Sequence, residues 1–223
     1  MTYKNLITEK QEEFLTYLIN KSNHSRKNLP SIKKMSEDLK VSSASLREQM
    51  ELLKTIGVIS AKPRKGIRVL DYQFTPAIAK SLYYAVKLNA SHFEKYSEIR
   101  NHLEKSYFLE AAKLLCKEDQ VFLQELINTA MEKLKGYPIQ IPHLEHRNFH
   151  MQFYQPVNNI FLFGLLEAYW DTYELVGLDV YTDLNYLENV WKYHQMILDK
   201  VIEKDFQRAF EIMIEHMQLI YSR

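Results

Sequence analysis

The sequence predicts a mainly α-helical protein in two parts, a small helix-and-hairpin unit followed by a larger all-helical bundle. Three observations lead there. Apolar residues recur at helical spacing through most of the chain, and the 223 residues include only 5 Gly and 6 Pro, too few for a many-turned β architecture. One stretch breaks that period, where two β-branched runs between residues 58 and 70 flank a basic turn. The charge is also divided: residues 1–72 hold 14 Lys and Arg against 8 Asp and Glu, and residues 73–223 hold 15 against 20. These balances of +6 and −5 sum to the net charge of +1, and a basic first third is suited to a polyanionic partner.

The first helix is expected at about Thr8–Ser22, with Phe14, Leu15, Leu18 and Ile19 on its apolar face. A polar stretch, Asn23–Asn28, follows. Leu29-Pro30-Ser31 then supplies a turn and an N-cap for a second helix over Ile32–Leu39, because proline disfavours helix before it and serine caps after it. A turn through Lys40-Val41-Ser42 leads to a third helix, Ser43–Ile56, buried along Leu46, Met50 and Leu53 and ended by Gly57. Val58–Ala61 and Ile67–Leu70 form the hairpin, with Lys62, Arg64 and Lys65 at its tip. Asp71–Pro76 reads as a linker. Beyond it the period is helical, with breaks near Asn89–Ser91, Lys117–Asp119, Gly136–Pro142, Pro156–Asn159, Gly177–Tyr186 and Lys204-Asp205. That makes about seven helices, in a second domain spanning 73–223 after a first spanning 1–72. Val176–Val180 is the one segment there with some extended character.

Composition bounds the function. With 46% hydrophobic and 26% charged residues the chain folds as an ordinary soluble protein. The single Cys116 allows no internal disulfide and no thiolate cluster, which fits a reducing cytoplasm. The first residues lack the apolar core of a signal peptide, and no run approaches the ~18 apolar residues of a membrane span. A cytoplasmic location is expected.

Three helices followed by a basic hairpin is the order of a winged helix-turn-helix, whose third helix enters the DNA major groove with its first residues at the base edges. Here that helix opens Ser42-Ser43-Ala44-Ser45-Leu46-Arg47. Ser43, Ala44 and Arg47 are expected to point outward, and Arg47 is the long cation able to grip guanine or a phosphate. Lys33 and Lys34 open the preceding helix, and Arg64, Lys65 and Arg68 line the wing. The plainer alternative is a protein-interaction module with solvated charges.

The run from Leu29 to Val69 resembles the N-terminal signature of the GntR family of bacterial regulators. Leu29-Pro30-Ser31, Val41-Ser42, Leu46-Arg47-Glu48, Leu53, Gly57, Gly66 and Val69 carry the resemblance. It implies DNA contacts from Lys33, Arg47 and the wing around Lys65-Gly66; the helix-turn-helix reading adds Ser43, Ser45, Arg64 and Arg68 to the expected DNA-binding residues. Ser43 departs from the pattern, since an arginine is usual there, and so implies an atypical operator. Lys33, where arginine is more frequent, is a milder change.

Of the 8 histidines, four are arranged suggestively. His146 and His150 are four apart on one helix face and could grip one ion. His194 and His216 fall on the last two helices at positions that an intervening turn near Lys204 would bring level. Phe149, Phe153, Trp191, Ile197 and Met213 make the surroundings apolar. Spacing alone leaves open that these histidines are scattered or singly hydrogen-bonded.

Residues 76–223 resemble the all-helical effector-binding domain of the FCD subfamily of GntR regulators, through Glu98-Ile-Arg100…Glu104, Phe149-His150, Asn159, His194-Gln-Met-Ile-Leu, and Asp205…Ala209…His216. The resemblance implies a divalent metal held by His146, His150, His194 and His216. It also implies that Arg100 receives a carboxylate effector, the alternative being a surface pair with Glu104. His146 stands where a carboxylate is usual, which favours Zn or Ni over harder ions. His143 could substitute for it but is expected in the loop after Pro142. Tyr83, Tyr84, Tyr169, Trp170 and Tyr173 read as core or dimer surface.

The expected protein is a homodimeric transcriptional regulator on a palindromic operator, controlled by a small organic acid, and not an enzyme. The alternatives are a regulator that senses Zn or Ni directly and a metal-dependent hydrolase.

Overall fold

The computed structural model describes residues 8–22, 28–176 and 183–219. The chain divides into two compact units, residues up to Ala77 and residues from Ile78 onward.

The first unit holds α1 (Glu9–Ser22), β1 (Asn28–Leu29), α2 (Ile32–Leu39), α3 (Ser43–Thr55), β2 (Ile59–Lys62) and β3 (Gly66–Val69). Local chemistry sets most of these boundaries. The Ser31 side chain accepts from the Lys34 amide and starts α2, and the Ser42 side chain accepts from the Ser45 amide and starts α3. Gly57, at φ 78°, ends α3. Its amide donates to Lys54 O and the Val58 amide to Leu53 O, the paired bonds of a Schellman cap. β2 and β3 pair antiparallel with Lys62 opposite Gly66, so the hairpin starts one residue later than its sequence pattern indicates.

A third strand was not foreseen. β1 pairs antiparallel with β3, giving the sheet order β1-β3-β2, and the Arg68 Nε donates to Asn28 Oδ1 across that edge. Two residues are too few to show a period, so sequence reading passes over them. The core is Phe14, Leu18, Leu29, Met35, Leu46, Met50, Leu53 and Ile59, each side chain contributing about 1.5–3 kcal/mol on burial. Ile19 does not belong to that face: it is 57% exposed. Of the polar stretch 23–28, only Asn28 is among the described residues.

The second unit is helical throughout its described residues. α4 (Thr75–Leu88) starts just before the division, followed by α5 (Ser91–Leu114), α6 (Lys117–Lys135), α7 (His143–Tyr154), a 3₁₀ turn (Gln155–Val157), α8 (Ile160–Leu175), α9 (Leu184–Ile202) and α10 (Phe206–Gln218). Asn159, Asp183 and Asp205 cap α8, α9 and α10 by accepting backbone amides. The expected break at Lys117–Asp119 falls instead at Leu115-Cys116. Lys117 is the first residue of α6, and Asp119 reaches back to accept from the Cys116 amide, so the polar run is a helix start and not a gap. His143 likewise opens α7 and does not sit in the preceding loop. Within the Val176–Val180 segment, residues after Val176 lie outside the described residues.

α5 is the central rod, packed by α7, α8 and α10, while α9 packs on α6 and α10. Stacked rings fix it in place, Phe108 on Phe153 at 4.9 Å and Phe93 on Tyr169 at 5.4 Å. α9 and α10 are joined by a turn at Lys204, in left-handed conformation with φ 63°. No helix of the described residues is long and apolar enough to cross a membrane.

A buried four-histidine centre and an exposed basic face

Helix geometry brings the four histidines together. His146 and His150 project from successive turns of α7. His194 and His216 lie about 15 Å and about 18 Å from Lys204 along their two helix axes, so the antiparallel turn places them side by side. Across the two pairs, His150 Nε2 stands 3.2 Å from His146 Nε2, and His194 Nε2 stands 3.2 Å from His216 Nε2. One ligand atom from each of the four residues lies within 4.8 Å of all the others.

The fit to a metal can be tested on these distances. Nitrogens bound tetrahedrally at about 2.0–2.1 Å stand about 3.3–3.4 Å apart. Two opposite edges of the cluster are therefore already at tetrahedral length. His150, His194 and His216 are buried, and His146 is half-buried. Phe149 stacks on His194 at 4.3 Å, and the Trp170 ring meets His146 edge-on at 4.9 Å. These contacts limit ring rotation and hold the nitrogens together.

Burial keeps three of the rings neutral. Burial pushes His150 well below the usual imidazole range, and the Arg100 charge adds to it. Burial does the same at His194, reinforced by His216, His146 and His150. His216 falls to about 3, chiefly from burial. Neutral imidazole is the form that binds metal.

Arg100 and Glu104 sit behind this cluster. They are four apart on α5, but the pair is buried, 3% and 1% exposed at the side chain, and closed at 2.8 Å. The surface pair considered from sequence is thus an interior one. Arg100 also lies over the Tyr169 and Trp170 rings, at 5.1 and 5.6 Å to the centroids. Burial works against its charge, yet Glu104, Tyr169 and Tyr154 hold its pKa above the usual value; burial pushes the Glu104 carboxyl up against the pull of Arg100. Glu104 Oε1 is 3.2 Å from His150 Nδ1, while Arg100 Nη2 is 2.9 Å from the same nitrogen. That nitrogen cannot donate to one and accept from the other at once. Donation to Glu104 is the tautomer that leaves Nε2 lone-paired toward the cluster.

Sequence reading missed Glu104 in this role, naming it only as the partner of Arg100. It also assigned Trp170 to packing alone. His143 is exposed and stands outside the cluster.

The first unit carries a different kind of face. Lys33, Arg47, Arg64, Lys65, Gly66 and Arg68 are exposed. Ser43 and Ser45 at the start of α3 are half-buried, so Ser43 points outward less than its position predicts. Ser45 Oγ lies 3.4 Å from Gln49 Nε2 and accepts from it. Lys34 is held by Asp38 at 2.9 Å, which leaves Lys33 as the freer cation at that helix start. Arg64 and Gly66 turn the wing with φ of 62° and 74°.

A helix-and-sheet unit with exposed cations is followed by a helical bundle that encloses four clustered histidines. Residues 96–219 match the FCD domain, and the chain belongs to the FCD-domain family of GntR-type regulators. The fold of the whole chain is similar to that of Streptococcus agalactiae GntR, with a TM-score of 0.72 at 17% identity over 95% of this chain and 98% of that one. E. coli McbR/YncC is similar at a TM-score of 0.52 and 20% identity, covering 97% of each chain. At these identities the likeness is one of fold. Comparison with curated proteins gives no match.

Proposed function

We propose that the chain is a DNA-binding transcriptional regulator whose operator affinity is set by a metal-containing helical domain. The first unit acts as a winged helix-turn-helix: α3 presents Ser43, Ser45 and Arg47 to the major groove, with Lys33 on a phosphate. Arg64, Lys65, Gly66 and Arg68 of the wing follow the backbone or minor groove. A homodimer places two such units on a palindromic operator.

The observation that carries the sensing half is the convergence of four imidazoles from α7, α9 and α10. His146, His150, His194 and His216 hold Zn or Ni, which this all-nitrogen set prefers over hard, oxygen-seeking ions. A small organic acid is the effector, with Arg100 beside the metal as its counter-charge. Arg100 is engaged with Glu104, so taking the acid requires that pair to loosen. Such a ligand controls DNA binding only through different affinity for the two orientations of the reading heads.

The same geometry favours one other reading. Four nitrogens fill a tetrahedron, which suits a regulator for which the ion itself is the signal. The filled set argues against a hydrolase, which needs an open position for water. Metal quantitation per chain, followed by operator titration with chelator, with zinc alone and with zinc plus organic acids, separates these readings. One bound ion and an acid-dependent change in affinity are expected. A change produced by zinc alone selects the direct sensor, and equal affinity under all conditions overturns both.

A further inference from the structure

We infer that the anion this histidine centre takes when loaded is doubly charged. The inference rests on the metal-centre reading above and follows from a charge count around the cluster. All four ligands are imidazoles, and metal binding requires each to be neutral. A divalent ion held by them keeps its full charge of two. Arg100 and Glu104 cancel each other in their 2.8 Å pair, so they neutralise none of it. Glu145, also buried, is held by Lys133 at 2.6 Å. Glu167, Asp171 and Glu174 gather around Arg147 but are 31–42% exposed, where water screens them. An isolated double charge in a buried site is strongly unfavourable, and a dianion removes it where a monoanion removes half.

Unpaired donors in the same place point the same way. Arg100 Nε, Trp170 Nε1, His194 Nδ1 and His216 Nδ1 are all buried without a hydrogen-bond partner. With Nε2 of His194 and His216 turned to the metal, each Nδ1 must carry a proton. Those two N–H groups point away from the metal side of their rings, while Arg100 Nε and Trp170 Nε1 remain buried donors beside the cluster without a hydrogen-bond partner. The Trp170 indole lies 5.2 Å from the His150 ring and under the Arg100 guanidinium, so the Trp170 and Arg100 donors share one neighbourhood. The oxygens there belong to Glu104, and they face Arg100 and His150 at 2.8 and 3.2 Å. The missing component is an acceptor with negative charge.

The test loads the full-length protein with one equivalent of zinc and measures anion binding by calorimetry at fixed ionic strength near neutral pH. Malonate is compared with its monomethyl ester, and sulfate with methyl sulfate, so that shape stays similar while charge changes. The expected result is a preference for the dianion of about tenfold or more in both pairs, absent without zinc. His146→Asp brings a charge into the ligand set and should cut that preference several-fold, whereas His146→Ala leaves the charge and should keep it. A preference unchanged in His146→Asp means that chelation, not charge, selects the ligand, and overturns the inference. Equal binding of mono- and dianions by the zinc form overturns it too, with the metal centre intact. Failure to take up zinc at all removes the metal reading and this inference together.

Discussion

The two units hold polar side chains under opposite conditions. On the first unit Arg47, Lys65 and Arg68 are exposed, and water solvates their charges whether or not a partner is present. In the second, Arg100, Glu104, His150, His194 and His216 are buried, and each depends on neighbours for its charge state. The exposed set can therefore be altered with little cost to folding, while a change in the buried set disturbs the packed interior. On the proposed function, ligand-dependent control would use that link to the interior, and a DNA-reading surface would work without it.

Acid should separate the units most strongly. The folded pKa values of His150, His194 and His216 are depressed, so the unfolded chain takes up protons below its ordinary value of 6.5 while the folded chain resists. Stability is full above pH 6.5 and is lost as pH falls below it, a loss that for His216 continues to about 3, at about 1.4 kcal/mol per pH unit for one such ring. Chemical denaturation of the metal-free protein between pH 7 and 4.5 reads this directly. A flat profile would mean that the three rings are solvated. Glu104→Gln should come next, destabilising by about 3–5 kcal/mol because Arg100 is left as a buried charge. Zinc affinity should fall with it, by about 10–100-fold, through the lost partner of His150. A surface role for the pair would predict less than about 1 kcal/mol.

Gly57→Ala probes the first unit where packing, not charge, is at stake. The φ of 78° disfavours any Cβ, and one built there meets Pro76 Cγ at 2.6 Å. A loss of about 1–3 kcal/mol in thermal unfolding is expected. The smallest effect on folding is assigned to Arg47→Ala, within about 0.5 kcal/mol, though a gel-shift titration should show operator binding lost. Intact binding would remove α3 from the reading head.

Much of this was legible in the sequence where local chemistry decides. Pro30-Ser31 and Gly57 bracket helices whose bounds match the structure to within a residue, because caps act on their own backbone neighbours. β1 was not legible, since its partner strand lies about forty residues away. Neither was the exposure of Ile19, which depends on how α1 packs and not on its period.

The histidine centre divides along the same line. Spacing determined by itself that His146 and His150 share a helix face and that Arg100 can reach Glu104, because helical geometry is local. Only the tertiary structure decided that this pair is interior and that Glu104 faces His150, as it also drew His194 and His216 to 3.2 Å. Arg100 and His150 are 50 residues apart in the chain. Burial and long-range contact belong to the packed bundle as a whole, and no window of sequence contains them.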